Sequence, residues 1–262
     1  PSVGQTLKWS AANSRWQPAD IEEAAASGTQ KAIFGFGYGA DYEGTNVTNL
    51  VSSSGVVATD TTGVGTARQD LTASGYGGDK AIFGFGFSSS NTNITNLVSN
   101  TGVVATDTTG VGTARYGLAA SGYGSTGQAI FGFGGTGSLS NTTNLVSNTG
   151  VVASDTTGVG TARYNLAASG YGGDKALFGF GFFGSSPYRT NVTNLVSNTG
   201  VVASDSTGVG TARERLAAAG YGGDKAIFGF GSPSYDTYTN ITNLVSNTGV
   251  VASDSTGVGT AR

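Results

Sequence analysis

An all-β fold, a five-bladed β-propeller of four-stranded antiparallel blades behind a short N-terminal hairpin, is what this 262-residue sequence predicts. Three observations lead there. One sentence of residues recurs five times, its apolar anchor falling at Ile33, Ile82, Ile130, Leu177 and Ile227, in steps of 49, 48, 47 and 50 residues. Each copy holds four short apolar or alternating segments parted by Gly, Asn and Ser turns, the pattern of a propeller blade. Helix signals are missing, with no sustained 3.6-residue periodicity and β-branched residues throughout. A fragment of a longer propeller or of an open β array is the alternative architecture.

Taken in chain order, residues 1–20 stand outside the repeat and hold both tryptophans. Gly4 to Trp9 and Arg15 to Pro18 read as a hairpin with Asn13-Ser14 near its turn, so Trp9 and Trp16 are candidate attachment residues. The blades follow at about 21–68, 69–115, 116–163, 164–213 and 214–262. Within a blade, Ala32-Ile33-Phe34-Gly35-Phe36 is short, apolar and bounded by glycine, as a buried strand is. Asn46 to Val51 alternates apolar with polar. Asn100-Thr101-Gly102 supplies hairpin chemistry, Val103-Val104-Ala105 reads as the next strand, and Leu118 to Tyr123 closes the unit. With no spare strand after Arg262, closure of a ring is expected to rest on packing between the first and last blades.

Composition removes several functions. Charged residues make up 11% of the chain and the net charge is −3, so there is no basic footprint for nucleic acid. No polybasic segment or apolar run long enough to span a membrane occurs. With no Cys and no His, thiol and imidazole nucleophiles and the usual zinc sites are excluded. No cofactor is expected. The 45 glycines follow no collagen-like period and recur at fixed turn and strand-end places.

Length changes concentrate in one connection. From Asn49, Asn96, Asn144, Asn194 and Asn243 to the following Arg the distance is always 19 residues. From the last glycine of Ile-Phe-Gly-Phe-Gly to the Thr of Thr-Asn-Leu it is 11, 9, 9, 12 and 11. Loops of one class that vary on an invariant frame are where a binding site diversifies. These loops carry Tyr38, Asp41, Tyr42, Glu43, Phe87, Tyr188, Arg189, Tyr235, Asp236 and Tyr238. Tyrosines beside charged groups suit sugar stacking or protein docking, and they equally suit gap-filling between blades.

Other repeated residues read as architecture. Asp60, Asp107, Asp155, Asp205 and Asp254 precede a Thr-Gly-Val-Gly turn and are expected to accept nearby backbone N–H groups; one carboxylate per repeat is too few for calcium. Arg68, Arg115, Arg163, Arg213 and Arg262 are expected to bond carbonyls or an Asp between blades. Gly-Tyr-Gly-Gly-Asp at 75–79, 170–174 and 220–224 is tight-turn chemistry, not a phosphate loop, since it joins two strands. Asn-x-Thr at Asn46, Asn93, Asn141, Asn191 and Asn240 has the form of a glycosylation acceptor, though strand alternation in an Asn/Thr-rich repeat also generates it.

The apolar strand ending in glycines and the recurring Arg shortly before the next blade resemble kelch-type propeller repeats. Gly-Phe-Gly stands where kelch has a double glycine, and the usual hairpin Tyr and Trp are missing. The Ser-Asp-Thr-Thr-Gly segment resembles the sialidase Asp box without its Trp. Gly4-x-x-Leu7-x-Trp9 with Trp16-x-Pro18 is similar to an element of phage and other viral fibre or appendage proteins, and the repeats resemble tandem-repeat structural proteins of marine phages. These resemblances imply a non-enzymatic structural or adhesion protein of a virion or an extracellular appendage. Its expected partners are other structural proteins of the particle or filament, further copies of itself, and cell-surface glycans. A soluble lectin-like propeller is the alternative.

Overall fold

The computed structural model describes residues 31–39 and 43–262, together with the backbones of two N-terminal strands. The chain divides into two compact units, Pro1–Phe34 with Asn49–Asp60 and Gly35–Thr48 with Thr61–Arg262. Near the start, β1 (Gln5–Ser10) and β2 (Arg15–Asp20) pair antiparallel, with Trp9 opposite Trp16. β3 (Ala32–Tyr38) and β4 (Gly44–Val51) form a two-stranded sheet.

Four three-stranded antiparallel sheets follow, one per repeat, and the described residues contain no helix. They are β5 (Thr72–Tyr76), β6 (Lys80–Gly84) and β7 (Thr95–Val98); then β8 (Ala119–Tyr123), β9 (Gln128–Gly132) and β10 (Thr143–Val146). Next come β11 (Ala167–Tyr171), β12 (Lys175–Gly179) and β13 (Thr193–Val196), and last β14 (Ala217–Tyr221), β15 (Lys225–Gly229) and β16 (Thr242–Val245). The Ala-Ile-Phe-Gly strand is central in each; Ile82, for instance, sits opposite Ser74 on one side and Leu97 on the other.

Sheets of three strands correct the expectation of four. Val103-Val104-Ala105 does not form a ladder and is reduced to isolated bridges, Val98 with Val104 and Thr95 with Thr108. The cause is the Asn96 side chain, which donates to the Ala105 carbonyl at 3.0 Å and to Asp107 Oδ1 at 2.9 Å. Three residues are thereby held opposite two, which bulges the edge and breaks its pairing.

The core lies between consecutive sheets. One cluster joins Tyr76, Ile82 and Phe85 of the second repeat to Leu118, Phe131 and Val146 of the third, and the next two seams repeat the arrangement. A central strand covered on both faces explains why Ala-Ile-Phe reads as an unbroken apolar run rather than an alternation.

Glycine and phenylalanine make the seam close-packed. A Cβ on Gly132 would lie 2.6 Å from Phe178 Cζ, so only glycine leaves the socket that the next repeat's ring fills. The phenylalanine after that glycine leaves the strand altogether: Phe85, Phe133, Phe180 and Phe230 have φ of 64–65°. Left-handed backbone is uncommon for a bulky side chain. It aims Phe85 edge-on at Phe131 of the following repeat, with centroids 5.2 Å apart.

The repeated Arg is the polar half of the seam. Arg68 is fully buried; its Nε donates to the Phe85 carbonyl at 2.8 Å and its Nη2 to Asn96 Oδ1 at 2.7 Å, both in the next repeat. Its Nη1 donates to the Thr66 carbonyl, and its guanidinium lies 4.2 Å from the Phe36 ring centroid. Arg163 and Arg213 repeat all four contacts. Asp107 reaches back across the same seam and does not close its own turn, accepting from the Thr66 N–H at 3.0 Å and the Thr66 hydroxyl at 2.6 Å.

Candidate functional site

The strands β5, β8, β11 and β14 lie one against the next and line two cavities, one at each of their ends. The larger, about 470 Å³, is at their C-terminal ends and is lined by the nearly invariant Gly-Tyr-Gly-Gly-Asp-Lys turns. There Lys80, Lys175 and Lys225 are held by Asp79, Asp174 and Asp224 at 2.6–2.9 Å, so their charges are cancelled in place. Such exposed pairs add little to stability. Backbone bonds from Gly124 to Asp174 and from Gly172 to Asp224 tie this end from repeat to repeat.

The opposite end is where the repeats differ. The two residues after each repeat Arg are Gln69-Asp70, Tyr116-Gly117, Tyr164-Asn165 and Glu214-Arg215. The first of each pair bridges to a variable loop, as Gln69 to Phe87 and Tyr164 to Phe182. The second lines a cavity of about 230 Å³ floored by the invariant Leu71, Leu118, Leu166 and Leu216. Asp70, Gly117, Asn165 and Arg215 all have φ of 51–60°. They form a relay of backbone hydrogen bonds, Arg215 to Asn165, Asn165 to Gly117 and Gly117 to Asp70, at 2.7–2.8 Å. The frame is therefore constant while its side chains are not.

An aromatic cluster flanks this cavity on one side. Tyr116 and Tyr164 lie 5.7 Å apart, Tyr164 and Phe182 5.2 Å apart, and Tyr188 stacks on Phe182 at 6.1 Å. Arg189 pairs with Glu214 at 2.7 Å, and Glu214 also accepts from Asn165 Nδ2 at 3.1 Å, which pins the longest loop to the next repeat.

Among the loop residues singled out from sequence, Tyr188 and Arg189 join this cluster, while Phe87 is half-buried against Gln69. Tyr235, Asp236 and Tyr238 are exposed on the last loop, Tyr235 at 83%. Tyr38 and Glu43 are exposed at the first loop; Asp41 and Tyr42 lie outside the described residues, as do the side chains of Trp9 and Trp16. Tyr116, Tyr164, Phe182, Glu214, Asp70, Asn165 and Arg215 were not anticipated. For all but Phe182 the signal was that the pair of residues directly after an invariant Arg differs in every repeat.

The repeated carboxylates are consumed by the frame. Burial alone would raise the Asp107 carboxyl, but hydrogen bonds from Thr66 and Asn96 and the charge of Arg68 together hold it below its ordinary value. Asp155, Asp205 and Asp254 behave alike. Burial lowers Arg68 and Arg163 to about 10, against the pull of Asp107 and Asp205, and leaves both charged at neutral pH. The Asn-x-Thr amides are also committed: Asn46, Asn141 and Asn240 donate to the carbonyls of Gly65, Gly160 and Gly259 at 2.7–2.8 Å. Among the described residues no group of three or more Asp and Glu is placed to hold a metal ion.

No protein-family model matches the chain, and a search of curated proteins finds no match.

Proposed function

We propose that this chain is a non-catalytic display scaffold, a kelch-like five-bladed propeller belonging to a virion or an extracellular appendage, whose variable loop end contacts a receptor. The observation that carries the reading is the distribution of difference. Residues that vary between otherwise near-identical repeats gather at the loop end, and the turns at the other end are nearly constant. An invariant frame with one diversified end is what selection for contact leaves behind. Seams of one design support the propeller. The engagement of the repeated Asp, Asn and Arg side chains in the seams supports a role without chemistry.

The test is binding of the labelled chain to intact bacterial cells and to an immobilised glycan panel. Alanine at Tyr188, Tyr235 and Tyr238 together should abolish the binding, and alanine at Lys80, Lys175 and Lys225 should leave it unchanged. Binding by neither surface, or loss only with the lysine set, would refute the reading.

A further inference from the structure

We propose that the cavity at the loop end is a binding site for a sugar acid, a monosaccharide unit bearing one carboxylate, recognised by Arg215, Asp70 and Asn165. The inference rests on the display reading and names the ligand class of the same end.

Its first support is an uncommitted charge pair. Four of the repeated arginines are buried in seams and Arg189 is held by Glu214. Arg215 is exposed at the rim, and among the described residues its side chain has no hydrogen bond or ion pair. Asp70, on the same rim, is also exposed, and among the described residues its side chain has no hydrogen bond or ion pair, with Arg215 or with any other group. A guanidinium matches a carboxylate in a bidentate fork. A carboxylate acceptor elsewhere on the same rim suits hydroxyl donors and repels a dianion, which separates a sugar acid from a phosphate.

The second support is the shape and wall. The cavity, about 230 Å³, is below the roughly 300–1,000 Å³ of drug-sized pockets, so it suits one ring. Its accessible surface is mostly polar, as a ring rich in hydroxyls requires, and the leucines Leu118, Leu166 and Leu216 lie buried beneath it. At Gly117 the rim has no side chain; a Cβ there would lie 3.0 Å from Asn165 Oδ1 and 3.2 Å from Tyr164 Cδ2. Glycine thus brings an amide and an aromatic ring to the edge of the cavity.

The repeats themselves supply variants that fold. Gly117 and Asn165 occupy the same left-handed rim position as Arg215 and Asp70, so Arg215→Gly and Asp70→Asn keep the backbone. Saturation-transfer NMR on the whole chain would be run with N-acetylneuraminic acid, galacturonic acid, neutral galactose and the zwitterion γ-aminobutyrate. The expected result is binding of at least one acid and not of galactose, with at least a tenfold loss for Arg215→Gly and a smaller loss for Asp70→Asn. Lys80→Ala, at the other end, should bind as the parent does. Absence of binding, equal binding of galactose, binding of γ-aminobutyrate alone, or indifference to Arg215→Gly would each overturn the proposal. Cell binding that is lost with the tyrosine set but unmoved by Arg215→Gly, in a chain that binds no sugar acid, would sink the sugar acid and leave the display reading standing. Sugar-acid binding without any cell binding would do the reverse.

Discussion

Arg163 and Asn194 are 31 residues apart in sequence, yet Arg163 Nη2 donates to Asn194 Oδ1 at 2.7 Å across the seam between two repeats. The bond joins the end of one repeat to the third strand of the next, and both residues are fully buried. Arg163→Ala leaves that amide oxygen and the Phe180 carbonyl without a donor. The expected loss is about 3–5 kcal/mol, the range for breaking a buried charged network. Lysine cannot reproduce the three directed donors, so Arg163→Lys should recover less than half. Urea midpoints of the three proteins measure it.

The phenylalanine socket gives an internally controlled test of packing. Gly132 and Gly170 both lie in strands, but a Cβ would meet Phe178 at 2.6 Å at Gly132 and only carbonyl oxygens at 3.5 Å and beyond at Gly170. Gly132→Ala should cost about 1–3 kcal/mol through overpacking. Gly170→Ala should change stability by less than about 0.5 kcal/mol, in line with substitutions that meet no special feature. Thermal melting of the pair reads the difference.

Acid should open the seams. Asp107, Asp155, Asp205 and Asp254 have folded-state values below the ordinary 3.8, so the folded state binds protons less readily than the unfolded chain. Their contribution is complete above the unfolded value and is lost as pH falls through the folded ones. Stability should therefore be level from pH 7 to about pH 5 and fall steeply below about pH 4. Asp205→Asn should lower the plateau and make the acid limb shallower, as followed by urea titration at each pH.

Loop 183–190 should depend on one ion pair. Glu214 is buried, and removing Arg189 strands its charge. Arg189→Ala should cost on the order of 3 kcal/mol locally and speed hydrogen exchange at Tyr188 and its neighbours. Exchange at the equivalent Ser88–Ser90 turn should not change.

Much of this organisation was legible in the chain. The 19-residue interval from Asn194 to Arg213 announced an invariant frame, and the uneven loop lengths pointed to the variable end. The partners of each Arg were not legible, because Phe180 and Asn194 meet Arg163 only once two sheets have packed. Nor was the turn at Phe133: a phenylalanine between glycines reads as strand, and only the seam holds it at positive φ. The edge at Val103–Ala105 failed as a strand for a similar reason, since the Asn96 side chain takes a backbone acceptor that local pattern assigns to a ladder. Asp70 and Arg215 were missed because each looks like an ordinary surface charge until the repeats are superposed.

Velocity sedimentation of the native material, with electron microscopy of the fraction that holds this chain, tests the display role most directly. The account predicts that the chain travels with a particle or filament and projects its loop end outward. A free species near the 26.0 kDa of the single chain would contradict it.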